Sequence, residues 1–329
     1  MKVTPSTKAT PLSTLVDDYL AACKARGLSP KTIRESYGYS LRGVLLPWAE
    51  REGISEPADL TDKALNRLSN ELQDAGGTRG ALAPASVHTY MRGINHLLNW
   101  AREQGDEVTG RAQLPRLPKR LPDILSRDEI QTMEDAAATE RDKLIIRLLG
   151  DTGVRVGELV ALRPRDLTER DRKFFIKVQG KGSKDRYVPV PPRVYRRLER
   201  FATKGRPKGA ADRLFLGLRR DRRSKDYEPL TTSGAAQLLR TAAEFAGIEK
   251  RVYPHLLRHS FASWFLAKGG NPILLAQILG HSSLTMILTT YSHLSPRGRL
   301  RRHAQDAHGG RGVAPPVDWP LAGGIRPHI

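Results

Sequence analysis

Between Gly105 and Pro122 the chain loses every hydrophobic period, and Pro115, Pro118 and Pro122 are interleaved with Arg111, Arg116, Lys119 and Arg120. A stretch that fits neither an amphipathic helix nor an alternating strand buries little, and spaced prolines keep it stiff. It divides the 329 residues into two segments, each long enough for its own core. The organisation expected is a flexible N-terminus over 1–10, a helical domain over 11–104, a basic proline-containing linker over 105–122, a second domain over 123–304, and a disordered Gly/Pro-rich tail over 305–329.

The first segment reads as four helices. Leu12, Leu15, Val16, Tyr19, Leu20 and Cys23 form one apolar stripe, and Gly27 closes that helix. Ser29-Pro30 supplies an N-cap and a first-turn proline for a second, which carries Ile33, Tyr37, Leu41, Val44 and Leu45 until Pro47 bends or closes it. Thr61 caps a third, running through Leu65, Leu68 and Leu72 to Gly76-Gly77. Pro84 opens a fourth with Val87, Met91, Ile94, Leu97 and Leu98 inward. Four such helices joined by short loops make a bundle.

The second segment opens on a capping box, Ser126 with Glu129, and a helix with Leu144 to Leu149 on its apolar face. The period then changes from 3.6 to 2. Lys173 to Val178 and Arg186 to Val190 read as strands of a hairpin across Gly180-Lys181-Gly182-Ser183-Lys184. Helical patterning returns over Val194 to Phe201, Ser233 to Phe245 and 255–268. Asn271-Pro272 then restarts a short helix that ends at Gly280. The fold class is mainly α with a small antiparallel β-sheet (α+β).

A formal net charge of +20 and a pI near 10.3, spread along the whole chain, point to a polyanionic partner, since a basic field draws in nucleic acid and gains from counterion release. The single cysteine, Cys23, rules out a disulfide within the chain and a cysteine zinc site. No apolar run of about 18 residues occurs, so the expectation is a cytoplasmic protein with no membrane partner.

Chemistry-bearing side chains gather near the C-terminal end. His255 and Arg258 are three residues apart on one helix face, His281 follows Gly280, and Ser283 can cap a last helix carrying Tyr291. Far upstream, Arg155 stands in a tight turn leading into a helix. His255 and His259 have the i,i+4 spacing of a metal pair, yet no third ligand is apparent and Arg258 between them would repel a cation, so neither metal nor cofactor is expected.

Five pieces occur in one order: Thr152-Gly153-Val154-Arg155-Val156-Gly157-Glu158-Leu159; a lysine in the Gly180 to Lys184 turn; His255-Leu256-Leu257-Arg258-His259; Leu279-Gly280-His281; and Tyr291. Together they resemble the tyrosine recombinase family, the phage-integrase-type site-specific recombinases, over roughly residues 10–300. The resemblance implies a helical core-binding domain followed by a catalytic domain, double-stranded DNA as partner, and a homotetramer on two paired DNA sites. It implies metal-free strand cleavage and religation through a 3′-phosphotyrosyl intermediate. Arg155 and Arg258 would neutralise the scissile phosphate, Tyr291 would attack it, His255 would serve as base or hydrogen-bonding partner, and His281 would donate to the same phosphate. Lys181 fits the family's general acid, with Lys184 as competitor in the same turn. Glu158 is read either as orienting Arg155 or as a solvated i,i+3 partner, and His259, Trp264 and Phe265 as packing residues. The gap from His281 to Tyr291 is one residue longer than the family's common spacing. A type IB topoisomerase-like relaxing enzyme and a catalytically decayed DNA-binding regulator are the rival readings.

Overall fold

The computed structural model describes residues 10–74, 80–117, 123–180, 185–207, 212–220, 222–223 and 225–281. The chain divides into two compact units, Met1–Arg120 and Leu121–Ile329.

In the first unit, α1 (Leu12–Ala25) buries the stripe that its sequence shows, Cys23 included. The Ser29 hydroxyl accepts from the Thr32 amide and starts α2 (Pro30–Thr32), whose chain continues without a break. Over Ile33–Leu45 the winding widens to a π-helix, which the sequence period does not anticipate. Ordinary α turns resume across Pro47 in α3 (Leu46–Arg51), so this proline neither ends nor reverses the chain. Its missing N–H would leave one carbonyl of the preceding turn unpaired in an uninterrupted α-helix, and the change of winding falls at that point. Thr61 caps α4 (Asp62–Asp74) through the Ala64 amide, and α5 (Pro84–Gln104) crosses the π-helical segment so closely that a Cβ at Gly93 would lie 2.8 Å from Ser40 Cβ. Leu41, Leu45, Leu65, Leu68, Met91, Ile94, Leu97 and Leu98 fill the core between these helices. Each such burial contributes about 1.5–3 kcal/mol.

The stretch after Gly105 begins along this bundle. Val108 and Ala112 join its core, the Asn95 amide pairs with Ala112 in both directions at 2.8 Å, and Arg102 Nε donates to the Val108 carbonyl at 2.9 Å. Asp62 accepts from the Arg111 amide at 2.7 Å.

The second unit opens with α6 (Arg127–Ala136), where both bonds of the capping box form. It continues through α7 (Glu140–Thr152) and α8 (Val156–Ala161). Three antiparallel strands follow in the order β1-β2-β3: β1 (Leu167–Arg170), β2 (Lys173–Gln179) and β3 (Asp185–Pro189). β2 and β3 are the expected hairpin, with Ile176 opposite Val188; β1 adds a strand too short and too polar to show a period of its own. After α9 (Pro192–Arg200) comes a second, two-stranded ladder, β4 (Leu216–Arg220) with β5 (Tyr227–Pro229), also unforeseen. α10 (Thr232–Phe245), α11 (Pro254–Ala267) and α12 (Pro272–Leu279) complete the unit, the last capped by Asn271 as its sequence predicts. Leu144, Leu148, Ile176, Val188, Leu239, Leu257, Phe261, Leu275 and Leu279 share one core, so the helices bearing the candidate site pack directly on one another. Among the described residues no helix is long and apolar enough to cross a membrane.

Candidate active site

Arg155 is delivered by a turn that tolerates no other geometry. α7 stops at Thr152 because Gly153 takes the left-handed conformation, φ +63°, and a Cβ there would lie 2.5 Å from Phe261 Cδ1 and 2.9 Å from Leu279 Cδ2. Glycine alone lets this backbone touch side chains of both α11 and α12. Arg155 follows in extended conformation at the start of α8. The Glu158 carboxylate accepts from the Arg155 amide at 2.8 Å and from Arg155 Nη1 at 3.0 Å, while Arg155 Nη2 donates to the Gly280 carbonyl at 3.0 Å. Glu158 is buried, so of its two sequence readings the structure supports the orienting one.

Arg258 lies on α11, 6% exposed. Its Nη1 donates to the Gly153 carbonyl at 2.7 Å, and its Nη2 donates to the Leu279 carbonyl at 2.8 Å and to His281 Nε2 at 2.8 Å. Each guanidinium thus grips the turn that carries another site residue. Arg258 holds the loop before Arg155, and Arg155 holds the residue before His281.

An arginine only donates, so His281 Nε2 must accept and the ring is neutral with its proton on Nδ1. Burial, then the charges of Arg258, Arg155 and Arg186, lowers the His281 pKa from 6.5 to about 4, consistent with that tautomer. Its Nδ1 is buried without a hydrogen-bond partner among the described residues. His255 lies exposed on the first turn of α11, and partial desolvation with the nearby charges of Arg258 and Arg155 lowers its pKa as well. Both effects favour its neutral form, which can accept a hydrogen bond through one ring nitrogen. His259 is half-buried, its pKa lowered by burial, His255 and Arg258.

The structure brings together four of the six residues singled out in the sequence, Arg155, His255, Arg258 and His281. Lys181 and Tyr291 lie outside the described residues, as do Lys184 and Ser283. Phe265 is core, but Trp264 is only half-buried, and the Arg127 guanidinium lies over its ring, 4.0 Å from the centroid. Among the described residues no three His, Cys, Asp or Glu side chains cluster as a metal site.

One residue of the site was not singled out in the sequence. Arg186 of β3 donates Nη1 and Nη2 to the two Glu158 oxygens, each at 2.8 Å, and Nε to the Ile278 carbonyl at 2.9 Å. Its signal is visible in retrospect, because period-2 alternation puts Arg186 on the same strand face as buried Val188 and Val190. A charge on an inward face needs a partner.

Convergent, carbonyl-anchored guanidiniums beside a neutral imidazole can cradle a tetrahedral oxyanion. Residues 123–297 match the model of the phage integrase family. Tyrosine recombinase XerC 2 of Ralstonia nicotianae is 32% identical over 302 residues, which cover 86% of this chain and 82% of that protein. Among solved structures, the XerH site-specific recombinase bound to its difH substrate superposes with a TM-score of 0.64 at 22% identity, covering 89% of this chain and 84% of that one. A lambda integrase tetramer bound to a Holliday junction gives 0.65 at 19% identity, covering 91% and 84%. With the family model spanning the whole of the arginine-histidine cradle and the XerC relative spanning most of the chain, the protein belongs to the phage integrase family and is a tyrosine-type site-specific DNA recombinase.

Proposed function

We propose that Tyr291, Arg155, Lys181, His255, Arg258 and His281 carry the strand cleavage and religation of this recombinase, in the following roles. Anionic oxygens repel a nucleophile from a phosphodiester. Arg155 and Arg258 offset that charge with groups that stay ionised, and their carbonyl anchors fix the forks before DNA arrives. The Tyr291 hydroxyl attacks phosphorus, forming the phosphotyrosyl bond as the bond to the 5′ oxygen breaks. His255 accepts the phenol proton, or a hydrogen bond from it, and Lys181 supplies the proton that the departing 5′ oxygen takes up. Religation is the same step reversed with a hydroxyl of another strand, and the stored ester bond removes any need for ATP. The fixed cations meet the charge requirement, so the scheme routes no step through a metal.

The observation that carries this reading is the mutual anchoring of Arg155, Arg258 and His281 on three separate elements. The partner implied is duplex DNA, bound by a homotetramer on two paired sites; a lambda integrase of similar fold is a tetramer bound to a Holliday junction.

The test is a nicked suicide site run on a denaturing gel. Wild-type protein should leave a covalent protein-DNA band. Tyr291→Phe keeps the ring but deletes the attacking atom, so it should bind DNA with the same salt dependence and give no adduct. An adduct from Tyr291→Phe would assign the nucleophile to another residue, which peptide mapping of the trapped DNA would identify.

A further inference from the structure

Arg186 spends its whole fork inside the protein. Both terminal nitrogens go to Glu158 and Nε to the Ile278 carbonyl, its side chain is 15% exposed, and that of Glu158 is 7% exposed. It stands where three parts of the site meet: β3, which Lys181 precedes in the chain; the first turn of α8, which bears Arg155; and the end of α12, which leads into His281. The fit is close on the α12 side, where Gly280 takes a left-handed C-cap, φ +65°, and a Cβ there would lie 3.0 Å from Arg186 Cζ.

We propose that Arg186 is a positioning residue for cleavage: by locking the Glu158 carboxylate it sets the direction of the Arg155 fork, and by holding the Ile278 carbonyl it sets the depth of the Gly280-His281 turn. The proposal rests on the reading of Arg155 as a phosphate-neutralising group. The physical case is that Glu158 has to serve Arg155 at two points, the backbone amide and Nη1, from a buried place. A carboxylate there is stable only if a second cation offsets its desolvation. Hydrogen bonds from Arg186 and from the Arg155 amide keep its pKa below the ordinary carboxylate value despite that burial. With Arg186 removed, Glu158 would draw the Arg155 fork toward itself as its remaining cation. A lysine would restore charge but not the planar two-point grip.

The experiment measures single-turnover cleavage of a suicide site carrying either an ordinary phosphodiester or an uncharged methylphosphonate at the scissile position. On the phosphodiester, Arg186→Ala should slow cleavage by about 10²-fold, the cost of one misplaced electrostatic group, and leave DNA affinity unchanged. Arg186→Lys should recover only part of that loss. On the methylphosphonate, where there is no charge for Arg155 to offset, the gap between variant and wild type should narrow to less than about tenfold. A gap of equal size on both substrates would overturn the proposal, because a general loss of folding penalises both alike. Wild-type cleavage by Arg186→Lys on the phosphodiester would also overturn it, and that variant stands in if Arg186→Ala does not fold. Tyr291→Phe, run alongside, reports separately on the nucleophile assignment.

Discussion

Among the described residues, the polar side chains buried in the first unit are Ser40 and Ser69, whereas the second unit buries Glu134, Asp151, Thr152, Glu158, Arg258, Ser260 and Ser263. Exposed ion pairs occur in both units, Arg165 with Asp212 in the second among them, but among the described residues the buried pairs lie in the second. Arg42 meets Asp17 with both side chains more than half exposed, while Glu158 and Arg186, and Glu134 with Arg147 and Arg197, are paired inside. Exposed pairs contribute about 0–1 kcal/mol, and buried ones often gain nothing over an apolar replacement. The second unit's interior is therefore poorly explained by stability alone. Two of its buried charges, Glu158 and Arg258, hold Arg155, the Gly153 turn and His281 in place, whereas Glu134 and Asp151 pair with Arg127, Arg147 and Arg197. The first unit has no such task among its buried groups, and its helices meet through close apolar packing. A helix crossing needs shape; an anion site needs aimed charge.

The sharpest way to break this contrast is Arg258→Met. It removes a guanidinium gripping two carbonyls and His281, so cleavage should fall by about 10²–10³-fold while DNA binding persists. Single-turnover cleavage on the suicide site measures it, and a near-wild-type rate would mean that the buried charge serves only the fold.

The converse test overfills the first unit's crossing. Gly93→Val places a branched side chain where even a Cβ meets Ser40 at 2.8 Å, which should cost about 1–3 kcal/mol. Peptide-resolved hydrogen exchange on the full chain should show protection lost over Ile33–Leu45 and α5, with α7 and α11 unchanged. Equal loss in both units would show that they unfold together.

The smallest expected effect is acid sensitivity confined to the second unit. His255, His259 and His281 all have lowered pKa values, so the folded state holds their protons less tightly than the unfolded chain does. Their contribution to stability is complete above pH 6.5 and declines as pH falls toward about 4, the His281 value. Hydrogen exchange across that window should show α11 and α12 opening more readily with each step down in pH. The Asp151 pKa, raised chiefly by burial, works in the opposite sense and softens the trend. Exchange that is flat over this window, or that rises equally in α1, would contradict the assignment.

Much of the architecture is legible in sequence because its determinants are local. Ser126 and Glu129, Ser29 and Pro30, and Asn271 and Pro272 each mark a helix start through bonds spanning no more than about three residues. Short strands such as Leu167–Arg170 and Tyr227–Pro229 have no room to show a period, and they go unseen. The π-helical winding of Ile33–Leu45 is likewise hidden, since residues four apart mark an apolar face in either winding.

By itself the sequence determined the two segments, the basic character, several helix starts and the ordered set of arginine, lysine, histidine and tyrosine motifs that carry the family resemblance. Only the tertiary structure decided how those motifs support one another. Arg258 reaches the Gly153 carbonyl across 105 residues of chain, Arg155 reaches that of Gly280 across 125, and Arg186 finds Glu158 across 28. Such bonds follow from four helices and a strand closing on one core, and no local period or cap records which distant carbonyl or carboxylate will lie within 3 Å of a given guanidinium. The same closure fixed the neutral His281 tautomer, because the neighbouring donor that dictates it arrives only when α11 packs against the end of α12.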